Sequence, residues 1–246
     1  MSSDRWIRRF HPGADAPVRL VCFPHAGGAA SYWHPLSAAL SPGVEVLAVQ
    51  YPGRQDRFFE TPLTSLTELA VEALTALGEQ DDRPLALLGH SMGATVAYEA
   101  ARHLEAVGRD CVRLFVSGRR APHLRRDEAA HLLDDDGLVA HLTSLEGTDT
   151  GLLADPEIRA LALPAVRADY TALSGYLPSP AEPLRCPVTA LVGDADPVTE
   201  VAAAGAWERY TAAGFDLEVF PGGHFYLNGR QAEIAAVIAG RLGALV

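Results

Sequence analysis

Ser91, Asp196 and His224 have the side-chain types needed to open an acyl bond through a covalent intermediate: a hydroxyl nucleophile, an acid and a base. Ser91 lies in Gly89-His90-Ser91-Met92-Gly93, where a short apolar run, Leu85 to Leu88, meets a tight glycine turn and then a helix-forming segment. In a G-x-S-x-G turn between strand and helix, the glycines let the backbone and the helix approach closely. The serine hydroxyl is pushed out at the apex, and the backbone N–H of the next residue, Met92, points to where an oxyanion would form.

A serine hydroxyl becomes a useful nucleophile only when a base takes its proton. His224 suits that part, on the glycine loop Pro221-Gly222-Gly223-His224-Phe225 that leaves the run Phe215 to Phe220. Two carboxylates compete to orient it, both in Gly193-Asp194-Ala195-Asp196-Pro197, just past the run Val188 to Val192. Asp196 is preferred because it precedes a proline at a turn and lies further beyond the strand, so it can reach over the rim. Asp194 suits bracing the loop through nearby backbone N–H groups. A second oxyanion donor is expected from the N–H of Ala26, in Pro24-His25-Ala26-Gly27-Gly28, where the chain leaves the run Val18 to Phe23. That loop matches neither G-x-x-x-x-G-K-[ST] nor G-x-G-x-x-G, so phosphate binding is not the expectation. His25 precedes the serine, outside the chain order Ser, acid, His, and is expected to be a structural hydrogen-bonding residue. No H-E-x-x-H pattern or Cys/His cluster suggests a metal.

The elements that must position these groups alternate. Strands are expected at Val18–Phe23, Val44–Val49, Leu85–Leu88, Val112–Val116, Val188–Val192 and Phe215–Phe220. Helices are expected at 31–40, after the capping box Ser65-x-x-Glu68, from Met92 towards Gly108, at 201–212 and at 231–245. From about 123 to 176 only helical pieces are found: Asp127 to Leu133, Gly137 to Leu145, and a longer one with Asp155 as N-cap and Pro156 at its first position, which Pro164 should kink. The expected fold class is α/β, with a mostly parallel central sheet flanked by helices. One domain over 1–246 is expected, with the helical stretch as a lid insertion beside the nucleophile.

Composition narrows the partners. A formal net charge of −11 argues against a nucleic-acid surface. No apolar run approaches a membrane span, no signal-peptide pattern opens the sequence, and three cysteines without C-x-x-C spacing fit a reducing cytoplasm. Arg54 and Arg57, in Tyr51-Pro52-Gly53-Arg54-Gln55-Asp56-Arg57, face the same rim as the serine turn. They would either orient a substrate or carrier, or brace the loop.

Six segments together carry a family resemblance: Phe23-Pro24-His25-Ala26-Gly27-Gly28, Tyr51-Pro52-Gly53-Arg54, Gly89-His90-Ser91-Met92-Gly93, Ser117-Gly118-Arg119-Arg120-Ala121-Pro122, Gly193-Asp194-Ala195-Asp196-Pro197 and Gly222-Gly223-His224-Phe225. Their order over nearly the whole chain resembles the type II thioesterases of polyketide and nonribosomal peptide assembly lines, members of the α/β-hydrolase superfamily. The resemblance implies a stand-alone hydrolase that clears acyl or aminoacyl thioesters from the phosphopantetheine arm of acyl or peptidyl carrier domains. It needs no cofactor of its own. The triad carries over to Ser91, Asp196 and His224 and the oxyanion donors to Ala26 and Met92, while Tyr226 stands where an aromatic or apolar residue is usual. Carrier domains are acidic, so Arg119, Arg120, Arg125 and Arg126, with Arg54 and Arg57, are expected to meet the carrier or its phosphate. A carboxylesterase or acyl-CoA thioesterase would use the same triad, and a non-catalytic binder would keep only the fold.

Overall fold

A computed structural model of the chain describes residues 5–78, 83–124, 126, 128–145, 153–178 and 182–243. Seven strands form one sheet: β1 Ile7–Arg8, β2 Val18–Phe23, β3 Val44–Val49, β4 Leu85–His90, β5 Arg113–Ser117, β6 Val188–Gly193 and β7 Phe215–Phe220. Their order across the sheet is β1-β3-β2-β4-β5-β6-β7. All neighbours are parallel except β1, which runs antiparallel to β3 with Ile7 opposite Val49. Six of the strands match the expected runs to within two residues at either end. The seventh, β1, is new; at two residues it is too short to show any alternation.

The inner strands read as unbroken apolar runs because helices cover both faces of the sheet. Every residue of β3 and β6 is buried. Successive side chains of a strand point to opposite faces, and the core divides accordingly. Val21, Leu87 and Val116 pack with Leu66, Leu69, Val96 and Tyr98 on one side. On the other, Leu20, Leu88 and Phe115 meet Trp33, Leu36, Ile234 and Ile238. The helices are α1 His34–Leu40, α2 Leu66–Leu77, α3 Met92–Ala106, α4 Asp135–Ser144, α5 Pro156–Gly175, α6 Val201–Gly205 and α7 Gln231–Leu242. As the capping box implies, the Ser65 hydroxyl accepts from the Glu68 N–H at 3.3 Å at the start of α2.

Between β5 and β6 the described residues contain α4, α5 and a 3-10 turn, Ala129–Leu132, and no strand of the sheet. That turn lies where a helix over Asp127 to Leu133 was expected; Asp127 itself is outside the described residues. Asp155 caps α5 by accepting from the N–H groups of Glu157 and Ile158. The helix continues through Pro164. The expected helix at 201–212 divides into α6 and a 3-10 segment, Ala206–Tyr210, which ends where Thr211 enters a parallel bridge with Leu184. Among the described residues no helix is long and apolar enough to cross a membrane.

Candidate active site

The sheet has one point where successive connections leave in opposite directions, between β2 and β4. Their C-terminal ends lie side by side there, with Phe23 opposite Gly89, leaving a crevice where ligands of open α/β sheets bind. Ser91 stands at this crevice with φ 54° and ψ −118°, a conformation rarely held by a residue with a side chain and characteristic of a functional turn. The flanking glycines are required by contact. A Cβ on Gly89 would lie 1.9 Å from the Gly93 carbonyl oxygen, and one on Gly93 would lie 2.1 Å from that of Phe23. The turn is pinned to the next strand by the Ser91 N–H, which donates to the Ser117 carbonyl at 2.8 Å.

Loops leaving β6 and β7 bring the other two groups to the serine. The His224 Nε2 is 2.9 Å from the Ser91 Oγ, and its Nδ1 is 2.9 Å from the Asp196 Oδ2. An ionised carboxylate only accepts, so the Nδ1–H donates to Asp196 and Nε2 is left to accept from the serine hydroxyl. The other Asp196 oxygen, Oδ1, accepts from the N–H groups of Val198 and Thr199 at 2.8 and 3.1 Å, which fixes the plane of the carboxylate. Asp194 takes the bracing position, accepting from the Gly222 N–H at 2.9 Å and so tying the β6 loop to the β7 loop. The three side chains expected to act together are therefore adjacent, in a geometry that can pass a proton from serine to histidine.

The N–H of Met92, in the first turn of α3, and that of Ala26, in the loop after β2, donate to no protein acceptor among the described residues. Two such free donors beside a serine can receive an oxyanion. The Ala26 loop is held from outside. The Gly27 N–H donates to Asp169 Oδ2 at 2.7 Å, and the Gly28 carbonyl accepts from Arg54 Nη1 at 3.0 Å. Arg54 and Asp169 are themselves paired through two bonds, Nη1 to Oδ2 at 2.7 Å and Nη2 to Oδ1 at 2.9 Å. Burial alone would lower the Arg54 pKa, but the facing carboxylate reverses this and raises it.

Of the two roles expected for the arginines of the β3 loop, these contacts favour bracing the loop over meeting a carrier. Arg54 is buried and fully engaged, so it offers nothing to a docking protein. Arg57 is likewise buried, with its guanidinium over the Trp6 ring and bonded to Glu60 and the Gln50 carbonyl. Asp169 was missed by sequence reasoning. A signal was present, since it falls on the stripe of α5 that carries Leu163, Val166, Tyr170 and Leu173 and so had to be buried.

A cluster of rings backs the histidine. His25 packs edge-on against Tyr32 and Phe225, at centroid distances of 4.6 and 4.8 Å, and its Nδ1 has no hydrogen-bond partner among the described residues. It is a packing residue rather than the hydrogen-bonding one expected. Burial, followed by the proximity of His224 and Arg54, pushes its pKa down to about 3. His90 is also lowered, by burial first and then by His224 and His25. Both therefore stay neutral near neutral pH. Tyr226, given no part by the sequence reading, bonds through its hydroxyl to the Ser117 Oγ at 2.6 Å, and Ser117 bonds to His90 Nδ1 at 2.8 Å.

Ser91, His224 and Ala26 open onto a cavity of about 510 Å³ whose far walls come from the insert, with Leu133, Leu145, Tyr170 and Leu173 among them. Arg119 and Arg120 border it and share the Glu128 carboxylate, at 2.7 and 3.7 Å. Arg120 is buried and also donates to the Val198 carbonyl at 2.8 Å. The expected basic face thus divides: Arg119 and Arg120 turn inward, Arg126 is exposed, and Arg125 lies outside the described residues. A larger recess, about 740 Å³, lies at the opposite end of the sheet near Leu85 and Arg109 and borders none of the three reactive groups.

Comparison with known proteins agrees with this geometry. Residues 18–242 match the family model described as "Thioesterase domain". The chain is 50% identical over 247 residues to thioesterase PikA5 of Streptomyces venezuelae, covering 98% of this chain and 87% of that protein. It is 47% identical over 238 residues to a probable cadicidin biosynthesis thioesterase of Streptomyces griseus, covering 96% of this chain but only 65% of that protein. Among solved structures, the type II thioesterase BorB from the borrelidin biosynthetic cluster superposes with a TM-score of 0.91 at 46% identity, covering 98% of this chain and 99% of that one. With a mostly parallel sheet, a serine turn at its switch point and matches of this extent, the chain belongs to the thioesterase family, as an α/β-hydrolase that acts on thioester bonds and groups with the type II thioesterases.

Proposed function

We propose that this protein releases acyl or aminoacyl groups from the phosphopantetheine arm of carrier domains, clearing stalled or misprimed units from a polyketide or nonribosomal peptide assembly line. The observation that carries the reading is the unbroken chain from Asp196 through His224 to Ser91, opening onto a chamber with apolar walls. The Ser91 oxygen attacks the thioester carbonyl carbon while its proton passes to His224 Nε2. Asp196 holds the imidazole in the working tautomer and stabilises the imidazolium. Negative charge on the carbonyl oxygen is met by the N–H groups of Ala26 and Met92, each worth about 3 kcal/mol in comparable sites. Collapse breaks the C–S bond, and the departing thiol takes the proton from His224. A water then attacks the acyl-serine by the same relay, with His224 as base, and the free acid leaves. No group beyond the arm carried by the substrate is needed, and the reaction fits a cytoplasmic setting.

A net-negative enzyme and an acidic carrier repel unless local positive charge guides them. Arg126, exposed at the cavity border, is suited to that guidance, and Arg119 and Arg120 stand further in, where the arm would pass. The test compares one acyl group on a carrier domain, on N-acetylcysteamine and on a matched oxygen ester. Carrier-bound thioester should be hydrolysed with the highest kcat/KM, and Arg126→Glu should lower that value while sparing the small thiol ester. A preference of several decades for the oxygen ester would overturn the reading in favour of a carboxylesterase.

A further inference from the structure

Asp169 is the buried charge that the proposed mechanism leaves unused. None of its side chain is exposed, and both oxygens are occupied. Its Oδ1 accepts from Arg54, and its Oδ2 accepts from Arg54 and from the Gly27 N–H. Arg54 then donates onward to the Gly28 carbonyl. One ion pair thus grips the two residues that follow Ala26, through an N–H on one and a carbonyl on the other. The Gly27 N–H belongs to the peptide unit that begins at Ala26, so the grip limits how Ala26 can turn. Two consecutive glycines have no side chains with which to hold themselves.

Stability is a poor explanation for such a pair. Replacing a buried ion pair with apolar side chains of similar volume is often neutral or stabilising, because desolvation offsets the attraction. A planar fork bonded at two points instead fixes direction. The carboxylate also arrives from a different part of the chain, on α5 of the insert, where the next residue, Tyr170, lines the cavity.

We propose that Arg54 and Asp169 are positioning residues for the oxyanion donor: they keep the Ala26 N–H aimed at the reacting carbonyl, and the donor is set only while this turn of α5 is seated. The proposal rests on reading Ser91 as the nucleophile and the Ala26 N–H as an oxyanion donor. The turn that walls the acyl group also completes the charge-stabilising site, so a substrate that unseats it loses rate and not merely affinity.

The test is steady-state hydrolysis of the propanoyl thioester of N-acetylcysteamine, together with inhibition by an alkylboronic acid, whose tetrahedral adduct with Ser91 places an oxygen between the two donors. The double variant Arg54→Met/Asp169→Leu removes both charges at once, so its melting temperature is expected to stay near that of the wild type. Its kcat should fall roughly 10- to 100-fold, less than the roughly 100- to 1000-fold cost of losing an oxyanion donor outright, because the donor is misaimed and not removed, with KM within about threefold. The inhibition constant of the boronic acid should rise by a similar factor. Arg54→Lys keeps the charge without the fork and should lose about 10-fold in kcat with the same split. An unchanged kcat in either variant overturns the proposal, and so does a loss shared equally by kcat and KM with boronic acid affinity intact. Hydrolysis that survives in Ser91→Ala would instead overturn the underlying reading, and the proposal with it.

Discussion

The rim of the sheet and the insert above it meet at one cavity, yet they are built on different terms. At the rim, each reactive group stands within a few residues of a strand end: Ser91 after β4, Asp196 after β6, His224 after β7. Strand pairing fixes those ends relative to one another, and hydrogen bonds between loops, such as Asp194 to Gly222, close the remaining freedom. Among the described residues, the insert has no strand ladder to register it. Its walls are held by apolar contact and by ion pairs such as Arg119 with Glu128, and its buried carboxylate, Asp169, bonds to the loop that carries Ala26. On the proposed mechanism, the rim sets which bond is broken, and the insert sets what can be brought to it.

If that division holds, the largest losses must come from the rim. Ser91→Ala and His224→Ala should each lower kcat for thioester hydrolysis by about 10⁴-fold or more, with folding intact by circular dichroism. Losses below about 100-fold would mean that another group on the rim serves as nucleophile or base. Next come the two carboxylates of the β6 loop, which only geometry separates. Asp196→Asn should cost roughly 10²- to 10⁴-fold in kcat, because an amide in that place favours the wrong imidazole tautomer. Asp194→Asn, which changes only a loop brace, should cost less than about 10-fold. The reverse ranking would overturn the assignment of the acid.

Substitutions in the insert should change selection more than rate. Ala130→Phe, on the cavity wall, should lower kcat/KM for long acyl chains by about 10-fold relative to short ones, in line with the modest worth of methylene discrimination. A uniform fall across a chain-length series would show instead that the insert is part of the catalytic frame.

A last effect leaves the chemistry aside and concerns stability. His25 is held neutral in the folded protein down to about pH 3, against 6.5 ordinarily. Between those values the unfolded chain binds a proton that the folded chain refuses. Stability therefore falls as pH drops below about 6.5, by up to about 1.4 kcal/mol per pH unit from this residue. His25→Phe keeps a ring against Tyr32 and Phe225, and urea unfolding across that window should show a shallower pH slope. An unchanged slope would mean that His25 takes up its proton in the folded state.

Much of the site was legible because its signals are local. A glycine either side of Ser91, a proline after Asp196 and two glycines before His224 each state a backbone requirement within a few residues, and the apolar runs before them announce the strands. The first strand was not legible, since Ile7–Arg8 is defined only by its partner Val49. Nor was the fate of the arginines. Arg54 looked like surface charge because the carboxylate that buries it lies 115 residues away, and Arg120 owes its burial to the seating of the insert.

By itself, then, the sequence determined the chain order of strands β2 to β7 and of the helices between them, and it singled out Ser91, Asp196 and His224 as candidates, because turn chemistry and hydrophobic period are short-range properties. Tertiary structure alone decided which charges face solvent and which are spent inside. Pairing a charge depends on distance in space: helical spacing shows that Asp169 is buried but not that Arg54 is its partner, and the sharing of Glu128 by Arg119 and Arg120 has no trace in local spacing.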